Sequence, residues 1–250
     1  MLVINADDWG GWRKATDAAH VCFCDGRIDS STAMVFMDDS ERGADIAKDC
    51  GIDIGLHLNL NKELDYYPKE HQKLNYHHEK VYRFLQKNKY ALIFYNPLIR
   101  DSIDYIIKAQ FDEFQRLFHK MPTHIDGHQH MHLCTNILVD RLLPIGSVVR
   151  RSFTFYRGQK NLFNRLYRRL VDLVLESRHI TTEYFFSLSQ LLKNNNFSHL
   201  VDLARKSSVE LMVHPEWPIE NCFLRGDQFP KITEELKRGN FKDLSMSRKI

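Results

Sequence analysis

Short runs of apolar, often β-branched residues recur along this chain, and longer segments with apolar residues at helical spacing separate them. Short apolar runs are typical of buried strands, whereas apolar residues three or four positions apart are typical of an amphipathic helix. Strands that alternate with helices indicate β-α units around a parallel sheet. The predicted strands are Leu2–Ala6, Thr32–Met37, Asp53–His57, Thr123–His128, Ser147–Arg151, Thr182–Ser187 and Val209–Val213.

The segments between these strands predict helices, and Gly26, Gly51 and Pro122 stand where three of them should end. Seven strands joined in this way predict a (β/α) barrel of the TIM type, distorted or incomplete, that takes up residues 1–250 as a single α/β domain. The predicted helices are Arg13–Asp25, Ser40–Asp49, Ile103–His119, Cys134–Leu143, Asn161–Glu176 and Leu200–Lys206.

One stretch departs from this alternation. The segment Asn59–Asn96 is long and polar, and it follows the third predicted strand. In a barrel, an insertion after a strand hangs over the site at the strand ends. The aromatic and polar side chains that we expect there are those of Tyr66, Tyr67, Pro68 and His71.

Composition and charge narrow the class of protein. Hydrophobic residues make up 43% of the chain and charged residues 27%, which is enough apolar material for a folded core. The formal net charge of +3 is the sum of scattered charges, so a nucleic-acid partner is not indicated. Arg165, Arg168 and Arg169 are interpreted as the solvated face of a helix whose apolar positions are Leu162, Leu166, Leu170 and Val174.

Cysteine usage and hydropathy bear on the compartment. The cysteines form no Cys-x-x-Cys pair, which favours reduced thiols in a cytoplasm. No apolar run approaches the roughly 20 residues that cross a bilayer. We therefore expect a cytoplasmic protein without a membrane span, whose mature chain begins at or near Met1, and we leave open whether it associates with itself.

The first candidate motif, Asn-Ala-Asp-Asp-Trp-Gly from Asn5 to Gly10, directly follows a predicted strand. Adjacent side chains of an extended strand point to opposite faces, so Asp7 and Asp8 can serve one site only if the backbone turns between them. Gly10 and Gly11 lower the cost of such a turn. One carboxylate could then bind a metal ion while the other accepts a proton. The alternative is a helix N-cap followed by a solvated loop acid.

Histidines dominate the next two motifs. His57 lies within an apolar strand, where a lone histidine is more often a hydrogen-bonded core residue than a ligand. From His124 to His132, histidine or aspartate occupies every second position, so in an extended strand these side chains would share one face. Such a face has no good packing explanation, since each buried imidazole needs partners. One metal ion cannot take all of them, so some must orient the ligands.

The last motif is His214-Pro215, directly after the predicted strand Val209–Val213. Proline ends ordinary strand pairing, which places His214 at a strand terminus, where barrel enzymes carry catalytic groups. All four motifs lie at or beside the carboxyl ends of predicted parallel strands. Imidazoles with a carboxylate suit zinc or another divalent first-row ion in a catalytic site, whereas magnesium prefers oxygen ligands.

The motifs Asn-Ala-Asp-Asp-x-Gly, Gly-x-His-Leu-x-Leu, His-x-Asp-x-His-x-His-x-His and His-Pro extend from Asn5 to Pro215. Together and in this order they resemble the YdjC-like carbohydrate deacetylases, which include chitooligosaccharide deacetylases and hopanoid-associated relatives. The resemblance implies a distorted (β/α) barrel that removes acetyl groups from N-acetylated mono- or oligosaccharides with one divalent metal ion, zinc or magnesium. Beyond Pro215 and within the Asn59–Asn96 insertion the resemblance is loose, so it does not extend to the identity of the sugar.

The resemblance also implies roles for single residues. Asp8, His57 and His128 would bind the metal ion, Asp7 would be the general base, and His214 would protonate the leaving amine. An arginine after the next strand, Arg150 or Arg151, would position the base, and Arg150 is our working choice.

Two other functions fit the same residues. A metal-dependent phosphoesterase or another amidohydrolase on a similar barrel would use His130 and His132 for additional metal ions. A catalytically silent saccharide-binding protein would keep the barrel without the chemistry. Metal stoichiometry and acetate release distinguish these possibilities from a deacetylase.

Overall fold

The computed structural model describes residues 1–65, 72–87, 90–155 and 160–247. Tyr66, Tyr67, Pro68 and His71 of the Asn59–Asn96 insertion lie outside the described residues, so their placement over the site stays a prediction.

Within these described ranges, six strands form one entirely parallel sheet, with the order β4-β3-β2-β1-β6-β5. This half-barrel sheet with helices between its strands confirms the predicted single-domain α/β fold. The strands are β1 (Leu2–Trp9), β2 (Ser30–Ala33), β3 (Asp53–Leu58), β4 (Ile125–Gly127), β5 (Tyr184–Ser187) and β6 (Val209–Val213).

The predicted strand Ser147–Arg151 is wrong as a strand. Its central residues form only isolated parallel bridges, Val149 with Ile125 of β4 and Val148 with Ile180 ahead of β5. The reason is the shortness of β4, which ends at Gly127 and leaves this segment little backbone to pair with. Even so, the bridges hold the segment between β4 and the residues that precede β5.

The second strand lies earlier than predicted, at Ser30–Ala33 rather than Thr32–Met37. Its polar side chains are buried and hydrogen-bonded across the sheet: Ser30 Oγ donates to Asn5 Oδ1 at 3.0 Å, and Ser31 Oγ donates to the carbonyl of Ala6 at 2.7 Å. A search for apolar residues at strand spacing misses a strand whose buried side chains carry hydroxyls, because serine and threonine count as polar, solvent-facing residues in such a search.

All six predicted helices are present, with ends shifted by a few residues, and the described part of the chain contains five further helices that were not predicted. The helices are α1 (Arg13–Cys24), α2 (Ser40–Cys50), α3 (Gln72–Gln86), α4 (Arg100–Phe118), α5 (Thr135–Asp140), α6 (Leu162–Glu176), α7 (Leu188–Asn194), α8 (Phe197–Ala204), α9 (Pro218–Arg225), α10 (Gln228–Thr233) and α11 (Phe241–Ser247). Among the described residues, no helix is both long and apolar enough to cross a membrane.

The Asn59–Asn96 insertion contains α3, which packs against α4. The buried residues of α3 are Leu74, His78, Val81 and Leu85, spaced four, three and four positions apart. This is a helical spacing, but one of the four positions is a histidine, which a hydropathy pattern counts as polar. The sequence therefore predicted a polar stretch here rather than a helix. The insertion is thus partly a packed helix.

The centre of the sheet explains how acids enter the interior. β1 lies between β2 and β6, and all eight of its residues are buried, including Asn5, Asp7 and Asp8. Ionised carboxylates are buried only with compensating partners, so β1 must meet cations or hydrogen-bond donors at its carboxyl end.

Candidate metal and acid–base site

The two acids of β1 reach one site because the backbone turns at Asp8 itself. The pairing of β1 with β2 shifts register between Ala6 and Trp9, and Asp8 has φ 66° in the left-handed region. Aspartate adopts this region more readily than most residues, and Gly10 follows with φ 73°. The alternative reading of an N-cap and a solvated acid is wrong: both carboxylates are buried, and Trp12 is the N-cap of α1.

Two histidines from two other strand ends converge on Asp8. Its Oδ1 lies 3.2 Å from His57 Nε2 and 3.1 Å from His128 Nδ1. One ligand atom from each of Asp8, His57 and His128 lies within 4.8 Å of the other two. Asp8 and His57 are buried while the His128 side chain is 18% exposed, so the cluster opens to solvent on the His128 side.

The electrostatics of this cluster favour a charged carboxylate. Burial acts to raise the pKa of Asp8, but hydrogen bonds from His128 and His57 outweigh it and hold that pKa well below its usual value. Burial acts to lower the pKa of His57, but the charge of Asp126 and hydrogen bonds to Asp126 and Asp8 raise it well above its usual value. A divalent cation would replace the proton that these groups share, which is how metal binding releases protons.

Asp126 orients His57 from behind. Its Oδ1 lies 2.7 Å from His57 Nδ1, and its Oδ2 accepts a hydrogen bond from Thr32 Oγ1 at 3.0 Å. With Nδ1–H donated to Asp126, Nε2 is the nitrogen of His57 left to bind an ion. A carboxylate behind a ligating histidine sets its tautomer and raises its basicity.

Arg150 is the buried cation that the interior acids require. Its Nη1 and Nη2 donate to Asp7 Oδ2 and Oδ1, each at 2.7 Å, in a bidentate pair. Nη2 also lies 2.7 Å from Asp126 Oδ2, and Nε donates to Glu210 Oε1 at 2.6 Å. Arg151 instead pairs with Asp172 at 2.8 Å. Of the two arginines left open by the sequence, Arg150 is the one beside Asp7.

The histidine run does not share one face, and that prediction is wrong. β4 ends at Gly127, and His128–Leu133 form a 3-10 turn in which Gln129 and His130 have positive φ values of 49° and 61°. The turn sends His128 toward Asp8 and the later histidines elsewhere. A strand pattern of period two holds only while the chain stays extended.

The other three histidines of the run are neutral structural groups. His124 Nε2 lies 3.0 Å from Asn5 Oδ1, and its ring stacks on Phe241 with centroids 3.7 Å apart. His132 Nε2 lies 3.0 Å from the Arg150 carbonyl oxygen. Burial lowers the pKa of both His124 and His132 to about 4. His130 packs edge-on against Phe153, and burial lowers its pKa well below the usual value.

His214 lies on the opposite side of Asp8, at the end of β6. Its Nε2 is 3.9 Å from Asp8 Oδ2, and its ring stacks on Trp217 with centroids 4.0 Å apart. The backbone N–H of His214 donates to Glu220 Oε2 at 2.6 Å, which fixes the chain at this point. Its Nδ1 is buried and has no hydrogen-bond partner among the residues that the structure describes.

Three polar residues of this region escaped the sequence reasoning: Thr32, Glu210 and Glu216. Burial raises the pKa of Glu210 and of Glu216 to about 7, and both Glu216 carboxylate oxygens are buried without a hydrogen-bond partner in the described part of the chain. A signal existed for Glu210, because it is the single charged residue within the apolar run Val209–Val213. None existed for Thr32, whose role depends on contact with Asp126 from a distant part of the chain.

A second group of possible ligands, Asp7, His57 and Asp126, also has its atoms within 4.8 Å. Asp7 and Asp126 both already bind the Arg150 guanidinium, and this positive charge would repel a metal cation placed between the two acids. Asp8, His57 and His128 have no such cation among the described residues. This mixed carboxylate and imidazole set suits a catalytic divalent ion with open positions.

Similarity to known proteins extends over nearly the whole chain. The family model described as YdjC-like protein matches residues 1–244. A chitooligosaccharide deacetylase of Yersinia pestis (strain Pestoides F) is 25% identical over 245 residues, covering 94% of this chain and 88% of the relative. A chitooligosaccharide deacetylase of Yersinia pseudotuberculosis serotype O:1b (strain IP 31758) is likewise 25% identical, with the same coverage.

Among solved structures, a protein of Enterococcus faecalis V583, named provisionally as a cellobiose-phosphate cleavage protein, superposes with a TM-score of 0.68. The match covers 97% of this chain and 98% of that chain at 17% identity, so it bears on the fold alone.

Proposed function

This chain belongs to the YdjC-like protein family, and we propose that it is a metal-dependent hydrolase that removes acetyl groups from N-acetylated sugars. One observation carries the proposal: Asp8, His57 and His128 form a compact ligand set directly beside the Asp7–Arg150 pair. A ligand set next to a buried, oriented carboxylate is what amide hydrolysis by an activated water requires. The names of the deacetylase relatives support the choice of sugar substrates.

Asp8, His57 and His128 would hold one divalent ion, zinc or magnesium. Their two imidazole nitrogens favour zinc, and the buried carboxylate is compatible with either. When bound, such an ion polarises an acyl carbonyl and lowers the pKa of water toward about 7. Asp126 contributes by holding His57 through Nδ1, so that the ligand set is oriented before an ion arrives.

Asp7 would act as the general base. Arg150 grips both of its oxygens in the guanidinium plane, and Asn5 Nδ2 donates to Oδ1 at 3.1 Å, so the carboxylate cannot rotate. Oδ1 accepts from both Arg150 and Asn5, whereas Oδ2 accepts from Arg150 alone, so Oδ2 keeps a lone pair that can accept a proton from water. The water oxygen then bonds to the acetyl carbon.

His214 would act as the general acid. Cleavage of the carbon–nitrogen bond releases acetate and leaves an amine that must gain a proton. His214 lies across Asp8 from the histidine ligands, where stacking on Trp217 holds the plane of its ring. Each proton-transfer group of this kind contributes about 10²- to 10⁴-fold in rate.

The same proposal extends to the architecture and the compartment. The segment bridged to Ile125 and Ile180 would close the half-barrel sheet into a distorted (β/α) barrel, with the site at the carboxyl ends of its strands. The unpaired cysteines support a cytoplasmic location. The substrate class stays N-acetylated mono- or oligosaccharides.

The test is an acetate-release screen over N-acetylated oligosaccharides with zinc or magnesium. It compares the natural sequence with single aspartate and histidine variants. Asp7→Asn should keep the metal ion and lose activity by at least about 10²-fold, whereas His128→Ala should lose the metal ion. Asp112→Asn, at an exposed position of α4, is the matched control and should change neither property.

Three results would contradict the proposal. Metal loss in Asp7→Asn with metal retention in Asp8→Asn would reverse the division between the two acids. A stoichiometry above one ion per chain would favour a phosphoesterase or another amidohydrolase. No acetate from any sugar, with sugar binding unaffected by Asp7→Asn, would favour a silent saccharide-binding protein.

A further inference from the structure

Helix α6 turns a large apolar surface away from the protein. It packs onto the fold through Val171 and Leu175, and Asp172 on the same side accepts hydrogen bonds from Arg151 and Ser152. The apolar spacing in this segment predicted leucines facing inward, and that prediction is wrong. The side chains left outside, from 43% to 78% exposed, are Leu162, Phe163, Leu166, Leu170, Leu173 and Val174, which we call the α6 apolar face.

The α6 apolar face is continuous. Leu162, Leu166, Leu170 and Leu173 are four, four and three positions apart, so they form one stripe along a helix about 22 Å long. Single exposed apolar residues are ordinary, but a contiguous stripe of this kind marks a surface that another molecule covers.

The charged residues beside the stripe have a self-complementary arrangement. Arg165 and Arg169 border the stripe, and Glu176 borders the same side at the end of the helix, where one of its oxygens lies 3.7 Å from Arg151 Nη1 and its side chain stays 43% exposed. In an antiparallel pair of identical helices, residues on the same flank face each other across the two-fold axis. An axis between Leu170 and Val171 therefore places Arg165 of one copy opposite Glu176 of the other, twice per pair.

We propose that two copies of this chain associate through the α6 apolar face, with their α6 helices antiparallel about a two-fold axis. The charge pattern favours a second copy over a membrane surface. A membrane-surface helix carries basic residues along its polar edges, whereas here an acid ends the same flank that begins with arginine. Arg168, the third arginine of this stretch, lies over the ring of Phe155 and so faces the protein.

The experiment measures the mass of the full chain by sedimentation velocity over a range of concentrations. The natural sequence should be a dimer. Leu166→Glu with Leu170→Glu should give a monomer with unchanged far-UV circular dichroism, because both side chains are more than half exposed. The matched control is Ile219→Glu on α9, which is 75% exposed and should leave the dimer intact.

The Arg165–Glu176 pair allows a second, independent test that leaves the leucines of the α6 apolar face unchanged. Arg165→Glu or Glu176→Arg alone should weaken dimerisation about tenfold, because each creates two repulsive contacts, and the two changes together should restore it. A monomeric natural sequence, a dimer that survives the double leucine change, or no recovery in the charge swap would each overturn the proposal. Binding of a monomeric chain to phosphatidylglycerol vesicles would replace it with a membrane role.

Discussion

Glu210 allows a sharp test of the buried network beneath the site. It is fully buried on β6, and its Oε1 accepts a hydrogen bond from Arg150 Nε at 2.6 Å. Its Oε2 is buried and has no hydrogen-bond partner among the described residues. A charged carboxylate oxygen without a hydrogen-bond donor is poorly stabilised in the interior, so the unpartnered Oε2 favours the protonated acid. Glu210→Gln replaces that acid by an amide that still offers an oxygen to Arg150 but cannot ionise.

The magnitude follows from the pKa of this carboxyl. Burial raises it from 4.5 to about 7, although the charge of Arg150 acts to lower it. A folded-state pKa above the unfolded value contributes stability that is fully present below pH 4.5 and is lost as the pH rises through about 7. The change corresponds to about 3 kcal/mol of unfolding free energy, because each tenfold change in proton affinity is worth about 1.4 kcal/mol.

The assay compares urea unfolding of the natural sequence and of Glu210→Gln between pH 4.5 and 8.5. A chelator is present in all samples, so that protons released on metal binding do not contribute. Across this range the free energy of unfolding of the natural sequence should fall by about 3 kcal/mol relative to that of the variant, with most of the fall between pH 5 and 8. Glu79→Gln, on the exposed side of α3 beside Arg83, should run parallel to the natural sequence.

Parallel pH curves for the natural sequence and Glu210→Gln would refute this reasoning. A constant offset would mean that Glu210 stays ionised as the partner of Arg150 throughout the range. The interior would then hold three carboxylates against one guanidinium, and a protonated His57 would offset only one of the two remaining negative charges.

Two further predictions concern the groups behind the ligands. Asp126→Asn should weaken zinc binding about 10- to 100-fold, because the carboxylate that holds His57 Nδ1 at 2.7 Å becomes neutral; unchanged affinity in a competition titration would argue against an orienting role. Gly55→Ala should lower the free energy of unfolding by about 1–3 kcal/mol, because an added Cβ would lie 2.6 Å from the His124 ring and carbonyl oxygen. Gly26→Ala adds a carbon in open space but at φ 66°, so a loss there reports left-handed backbone strain rather than packing; an unchanged free energy of unfolding in Gly55→Ala would contradict the packing argument.

Local sequence patterns predicted much of this protein, because they reflect interactions between near neighbours in the chain. Alternating strand and helix signals predicted the parallel sheet, and with it the placing of Asp7, His57 and His214 at one edge. The residue types then indicated a divalent ion with an acid and a base. These inferences need only the periods of strands and helices and the rule that parallel strands end at the same edge.

Only the tertiary structure decided which of these groups meet. Arg150 contacts Asp7 from 143 positions away, and Asp126 contacts His57 from 69 positions away, so no local pattern contains either pair. The left-handed turn at Asp8 brings both acids to one site, and the 3-10 turn after Gly127 directs only His128 of its run toward Asp8. The outward orientation of helix α6 is also beyond local prediction. Its amphipathic pattern specifies an apolar side, but only the packing of the other elements decides whether this chain or another molecule covers that side.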